Sequence, residues 1–194
     1  MKKILVAFAL AAVASTASAS IAAGSHDLRT APYNGTLPAC QYCHAPHLWV
    51  TANESGGPLW NRNITAAGAY TAYTSTGFTS TVTLGVASRV CLSCHDGSAL
   101  LNSVNNGSGT MAVTTIGAFG VGTDLRDDHP VGVVYTTGTY YADISANSNV
   151  TLYSAQVECA TCHDPHGTSD GAAGGTVFAR WGTGVDLCAQ CHLK

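Results

Sequence analysis

Every cysteine in this chain of 194 residues sits in one pattern, and that pattern limits what the chain can build. The four segments are Cys40-Gln-Tyr-Cys43-His44, Cys91-Leu-Ser-Cys94-His95, Cys159-Ala-Thr-Cys162-His163 and Cys188-Ala-Gln-Cys191-His192. C-x-x-C-H is the attachment motif of haem c. Two thiols add to the two vinyl groups on one side of the porphyrin, and two intervening residues let the chain bridge that gap. The next residue then lies below the iron, where its imidazole is the proximal ligand. Paired C-x-x-C also builds zinc sites, redox dithiols and, in exported chains, disulfide frameworks. None of these needs a histidine directly after each second cysteine. Histidine is only 8 of the 194 residues, so four such placements arise by chance with odds of about a few in a million. The predicted cofactors are four haem c groups, held covalently by Cys40, Cys43, Cys91, Cys94, Cys159, Cys162, Cys188 and Cys191. Their proximal ligands are His44, His95, His163 and His192.

Four histidines remain: His26, His47, His129 and His166. Four six-coordinate irons need four distal ligands, so supply matches demand with none to spare. Methionine also serves as an axial ligand, but Met111 is the only one beyond the initiator. The four remaining histidines are therefore predicted as distal ligands. No catalytic residue is predicted, because an iron with two imidazoles offers no open position to a substrate.

The motifs repeat at a higher level. Cys40 to His47 reads CQYCHAPH and Cys159 to His166 reads CATCHDPH; each is preceded by a histidine and followed later by a plain motif. The chain thus reads as two dihaem units, 24–110 and 111–194, forming one compact tetrahaem domain. Axial ligands approach an iron from opposite faces, with Cα atoms roughly 12 Å apart, whereas three residues extend to only about 10 Å. His47 is therefore excluded from the haem held by His44, and His166 from the haem held by His163. Each must serve a neighbouring haem, in the same chain or in another subunit. Pro46 and Pro165 stiffen the backbone just before these histidines and disfavour a helix there.

Outside the motifs the signals are sparser. Residues 1–23 read as a secretory signal peptide: Lys2 and Lys3, an apolar run from Ile4 to Val13, and small residues at Ala17-Ser18-Ala19, with Ala23 as a second cleavage point. Export is predicted, to the outside or outer surface of the cell, with the periplasm as the alternative. No other apolar run is long enough to span a membrane. Without the leader, six basic residues face eleven acidic ones, so no basic patch for nucleic acid exists. Short β-like runs fall at 80–90, 111–121, 131–135 and 150–153, glycine is abundant, and no long helical period appears. The predicted fold is mostly irregular and haem-dominated, with few short helices and β-strands and helical turns at the motifs. Tyr42, Trp49, Trp60, Tyr135, Phe178 and Trp181 lie near the motifs and are candidates to pack on porphyrin. Asp127 or Asp128 is a candidate acceptor for a ligating imidazole, or part of a solvated turn.

The order His26-Asp-Leu, CQYCHAPH, Pro58-Leu-Trp-Asn61, CLSCHDG, Asp127-Asp-His-Pro130, ECATCHDPHG and LCAQCH resembles the small tetrahaem cytochromes of the doubled-CXXCH type. In layout it is similar to those that polymerise into extracellular cytochrome filaments, or nanowires. That resemblance implies electron transfer along a continuous chain of haems, with redox partner cytochromes. It also implies a homopolymer in which one histidine, His47 by motif position, ligates a haem of the adjacent subunit. A soluble periplasmic tetrahaem shuttle is the alternative. A multihaem reductase would need an open iron, which the histidine count opposes.

Overall fold

The computed structural model describes residues 21, 24–45, 59–78, 81–144, 150–166, 179–180 and 185–193. Regular structure is scarce among them. Three α-helices are present: α1, Val86–His95; α2, Cys159–Cys162; and α3, Val185–Cys188. Single 3-10 turns cover Ala39–Tyr42, Ala67–Ala69 and Gly117–Phe119. The one sheet pairs β1, Val133–Val134, with β2, Gln156–Val157, antiparallel in the register Val133↔Val157 and Val134↔Gln156. No described helix is long and apolar enough to cross a membrane.

The mostly irregular fold matches the sequence expectation, and the differences have physical causes. Residues 86–90 are helical, not extended. The run Thr-Val-Thr-Leu-Gly alternates like a strand, but the chain turns into α1 at Gly85, whose N–H donates to the Glu158 carboxylate at 2.9 Å. That acceptor lies 73 residues away, so nothing local announces the helix start. The Ser88 hydroxyl also donates to Glu158, and Ser88 Oγ in turn accepts the N–H of Cys159 at 2.9 Å. The run 111–121 forms no ladder. Isolated bonds hold it instead, from Ala112 N–H to the Tyr33 carbonyl and from Val121 N–H to the His95 carbonyl, both 2.7 Å. The 131–135 run does contain β1. Residues 150–153 contribute only an isolated bridge, Tyr153↔Gln156, while the partner strand β2 was not anticipated.

α1 presents Ser88, Arg89, Leu92 and Ser93 inward, spaced as one helical face. It stops at Asp96-Gly97: Asp96 Oδ1 accepts the N–H groups of Ser98 and Ala99, and Gly97 takes the left-handed conformation (φ +76°) that suits the position after a cap. Leu92 joins Tyr70, Leu84 and Leu125 in a small apolar cluster, flanked by Ala67 and Val131. Gly132 (φ +77°) lets the β1 approach pass this cluster, since a Cβ there would sit 2.7 Å from the Thr83 carbonyl oxygen. Arg62 is buried and donates to the carbonyls of Ser93, Leu100 and Leu101. It thereby satisfies acceptors at and beyond the C-terminal end of α1 that have no helical partner.

α1 and α2 carry the second and third cysteine pairs, and the Ser88–Glu158 contact fastens them together. Ser88→Ala is expected to leave a buried carboxylate and the Cys159 N–H each short of a partner, lowering unfolding free energy by about 1–3 kcal/mol. Urea titration of the holoprotein reads this, and an unchanged midpoint would refute the role of Ser88.

Candidate haem sites

Each motif folds as one helical turn. The histidine N–H donates to the carbonyl of the first cysteine in three of them: His44 to Cys40 at 2.8 Å, His163 to Cys159 at 3.0 Å and His192 to Cys188 at 2.9 Å. The second motif lies wholly within α1. One turn sets the two cysteines of a motif, three residues apart, on one face with the histidine beside them.

The first motifs of the two units are built alike. His44 bridges Trp60, and His163 bridges Ala179, so each histidine pairs antiparallel with a residue sixteen places on. The next N–H donates back to the second cysteine: Asn61 to Cys43 at 2.8 Å and Arg180 to Cys162 at 2.9 Å. The motif repeat seen in the sequence is thus also a repeat of backbone structure.

The cysteine chemistry fits thioether attachment. No two of the eight cysteines are joined in a disulfide. Burial, and then the nearby Cys94, push the Cys43 thiol up to about 12. Burial, and then Cys191, push Cys162 up to about 11. A hydrogen bond to Cys159, together with burial, also raises Cys91. A thioether carries no charge, so burying it costs less than burying a thiolate. Among the described residues no three His, Cys, Asp or Glu side chains converge as a metal-binding group.

The histidines pair. His26 lies with its ring centre 6.1 Å from that of His95, His166 lies 6.0 Å from His44, and His129 lies 6.2 Å from His192. An imidazole bound through Nε2 has its centre about 3 Å from the metal, so two axial rings on one iron lie about 6 Å apart. Aromatic contacts also fall in this range; Trp60 stands edge-on to His44 at 5.8 Å and Tyr141 is 5.3 Å from His192. The selection of partners separates the two cases. Among the described residues, each of these three pairs joins one motif histidine to one histidine outside the motifs.

Ring orientation agrees. A ligating imidazole commonly donates Nδ1–H to a carbonyl, leaving Nε2 for the metal. His95 Nδ1 is 3.0 Å from the Phe119 carbonyl, His26 Nδ1 is 3.4 Å from that of Pro165, and His129 Nδ1 is 3.1 Å from that of Pro130. Burial lowers the pKa of His26, partly opposed by its bond to Pro165, and the charges of His95, His166 and His163 lower it further.

The residues present therefore fit haem c. The cysteine pairs and their histidines would hold it, and His26, His129 and His166 stand where distal ligands belong. His47 lies outside the described residues, as do Trp49, Phe178 and Trp181. The acceptor for His129 is its neighbour's carbonyl, not Asp127 or Asp128, because a backbone oxygen one residue away needs no side-chain ordering.

Residues 153–194 match the doubled CXXCH motif family. The matched segment contains the third and fourth motifs, and the match supports a multihaem c-type cytochrome that binds haem covalently and transfers electrons. No curated protein matches the chain.

Sequence reasoning missed three contributors. Phe119, 71% exposed, supplies the His95 carbonyl contact, and Tyr141 flanks His192; neither lies inside a motif. Glu158 is fully buried, and with Thr161 it forms a reciprocal cap on α2. The Glu-Cys-Ala-Thr string was its available signal, a Glu/Thr variant of the capping box. Burial raises the pKa of Glu158, against the bonds from Ser88 and Gly85 that lower it. A carboxyl raised on folding contributes stability that is full below the usual 4.5 and is lost as pH rises through its folded value. Unfolding free energy is thus expected to fall as pH rises from that range, and Glu158→Gln is expected to flatten this segment of the curve. Equal slopes for the two proteins in denaturant titrations from acid to neutral pH would contradict it.

Proposed function

We propose that this protein is an exported electron conduit carrying four bis-histidine haem c groups and performing no substrate chemistry of its own. The carrying observation is the approach of His26, His129 and His166 to three motif histidines at ring distances that suit axial ligands. When bound, the haems supply reversible one-electron chemistry. The four cysteine pairs and their histidines would hold these groups, His26, His129 and His166 would supply further imidazoles, and backbone carbonyls orient the rings of His26, His95 and His129. The histidine count opposes a reductase, which would need one iron with an open position. Export is part of this reading. Ile21 is buried, with its carbonyl accepting the Gly24 N–H at 2.9 Å, so cleavage after Ala19, which keeps Ile21, suits the packing better than cleavage after Ala23.

Intact mass spectrometry of secreted material is expected to show a chain beginning at Ser20 plus four haem masses. The ferric protein is expected to be wholly low-spin, and the reduced protein inert to carbon monoxide. Three haems in mature material, or fast carbon monoxide binding at one of them, would refute the reading.

As to assembly, the proposal is a subunit of an extracellular filament in which His47 ligates a haem of the adjacent subunit. The low share of charged residues, 10%, suits a surface that is covered in a polymer. An intersubunit metal–ligand bond is head-to-tail and so extends without closing. Negative-stain electron microscopy of the wild type is expected to show filaments. His47→Ala is expected to retain four haems, lose the filaments and gain one high-spin iron per chain. A wild type that stays monomeric when concentrated, with every iron low-spin, identifies the soluble shuttle instead.

A further inference from the structure

Residues 60–62 tie the first motif to α1. Asn61 N–H donates to the Cys43 carbonyl at 2.8 Å. Trp60 Nε1 donates to Ser93 Oγ at 2.9 Å, one residue before Cys94. Arg62 follows, and its side chain is buried against the end of α1, with the residue only 2% exposed. Its guanidinium donates to the carbonyls of Ser93 at 3.3 Å, Leu101 at 2.8 Å and Leu100 at 2.6 Å.

These three acceptors are neutral, so the bonds leave the positive charge in place. Arg29 and Arg126 differ, because each lies against a carboxylate, Asp27 at 2.7 Å and Asp124 at 2.6 Å. A buried charge is also screened far less than an exposed one. The Arg62 charge reaches a cysteine of each of the first two motifs. Burial and then Cys94 raise the Cys43 thiol, and Arg62 pulls it back. Burial raises the Cys94 thiol, Arg62 pulls it back, and Asp96 acts more weakly in the raising sense. We propose that Arg62 is a fixed cation that raises the reduction potentials of the haems attached at Cys40/Cys43 and Cys91/Cys94, setting the first unit apart from the second.

This rests on the four-haem reading above and adds to it a residue that sets potentials. Reduction lowers the positive charge at an iron by one unit, so a nearby cation disfavours the oxidised form. The thioethers and the proximal imidazole of one motif belong to one porphyrin. A charge beside the sulfurs is therefore felt at the iron, weakened by distance. The second unit has an arginine at the corresponding turn, where Arg180 N–H donates to the Cys162 carbonyl as Asn61 does to that of Cys43. Arg180 is only half-buried, and its Nε donates to the Ala160 carbonyl at 2.8 Å. Burial comes first in raising the Cys162 thiol, and Arg180 comes last, pulling it down. The first unit thus carries the deeper cation, and that cation acts on two attachment sites.

The experiment is a redox titration of holoproteins, followed in the haem absorption bands and resolved into four one-electron steps. Arg62→Gln removes the charge and keeps a side-chain donor. It is expected to move two of the four steps to lower potential, each by at least tenfold in the reduced-to-oxidised ratio, about 59 mV for one electron. The other two steps stay in place. Arg62→Lys keeps the charge and loses the planar fork, and it is expected to restore most of the shift. A purely structural role would lower the denaturation midpoint in both variants and move no step selectively. Four unmoved steps in Arg62→Gln, equal movement of all four, or a lysine variant that titrates like the glutamine one overturns the proposal. Should Arg62→Gln fail to mature, Asp96→Asn decides. It keeps an oxygen for the N–H groups of Ser98 and Ala99 and removes the opposing charge, so one step is expected to rise; four unmoved steps there overturn the proposal too. Fewer than four haem masses on the wild type would overturn the four-haem reading and this proposal with it, whereas four haems with unmoved steps strike the proposal alone.

Discussion

The architecture depends on one covalent and one coordinative demand made at the same place. Each C-x-x-C-H turn fixes two thiols and one imidazole within five residues, and such a turn alone cannot supply the imidazole for the opposite face. In the proposed bis-histidine reading that second imidazole comes from elsewhere, and the histidine rings that approach one another are far apart in the chain: residues 26 and 95, 129 and 192, and 166 and 44. Three long-range pairings of this kind constrain a chain of this size more than its sheet does, since β1 and β2 pair only two residues each. The apolar cluster around Leu92 is likewise small. Among the described residues regular elements and apolar core are sparse, so such pairings matter more for topology.

The two units of the sequence interleave in space. Glu158, from the second unit, completes the start of α1 in the first by accepting from Gly85 and Ser88, and Ser88 returns a bond to Cys159. His166 reaches His44 across the same division, while His26 leans on the Pro165 carbonyl in the opposite direction. Burying a carboxylate at this junction is costly unless its partners are in place. The α1–α2 junction therefore forms with both motifs correctly set or is strongly destabilised, and that discriminates against misregistered packings of two similar units.

Legibility followed the range of the interaction. The helical turns at the motifs could be read because cysteine, cysteine and histidine lie within five residues. The exclusion of His47 and His166 from the haems beside them could also be read, because it needs only the length of three residues. The start of α1 could not, because its acceptor, Glu158, is 73 residues distant; the local alternation of Thr, Val and Leu favoured a strand until a tertiary bond overrode it. The Asp-rich run offered two readings, an aspartate acceptor for a ligating imidazole or a solvated turn, and the His129 ring meets the Pro130 carbonyl, which is present whatever the side chains are. Partner choice among the histidines was illegible for a more basic reason. Counting sets eight imidazoles against eight expected positions, but composition is blind to which two would share an iron.

A duplicated sequence can use its two copies in two ways. If every histidine stayed within its own unit, the result would be two dihaem modules joined by a linker, and their relative placement would rest on ordinary surface packing. The pairing of His166 with His44 departs from that arrangement. In the proposed bis-histidine reading, a histidine that crosses would tie the two units through a shared haem, and their relative placement would no longer rest on surface packing alone.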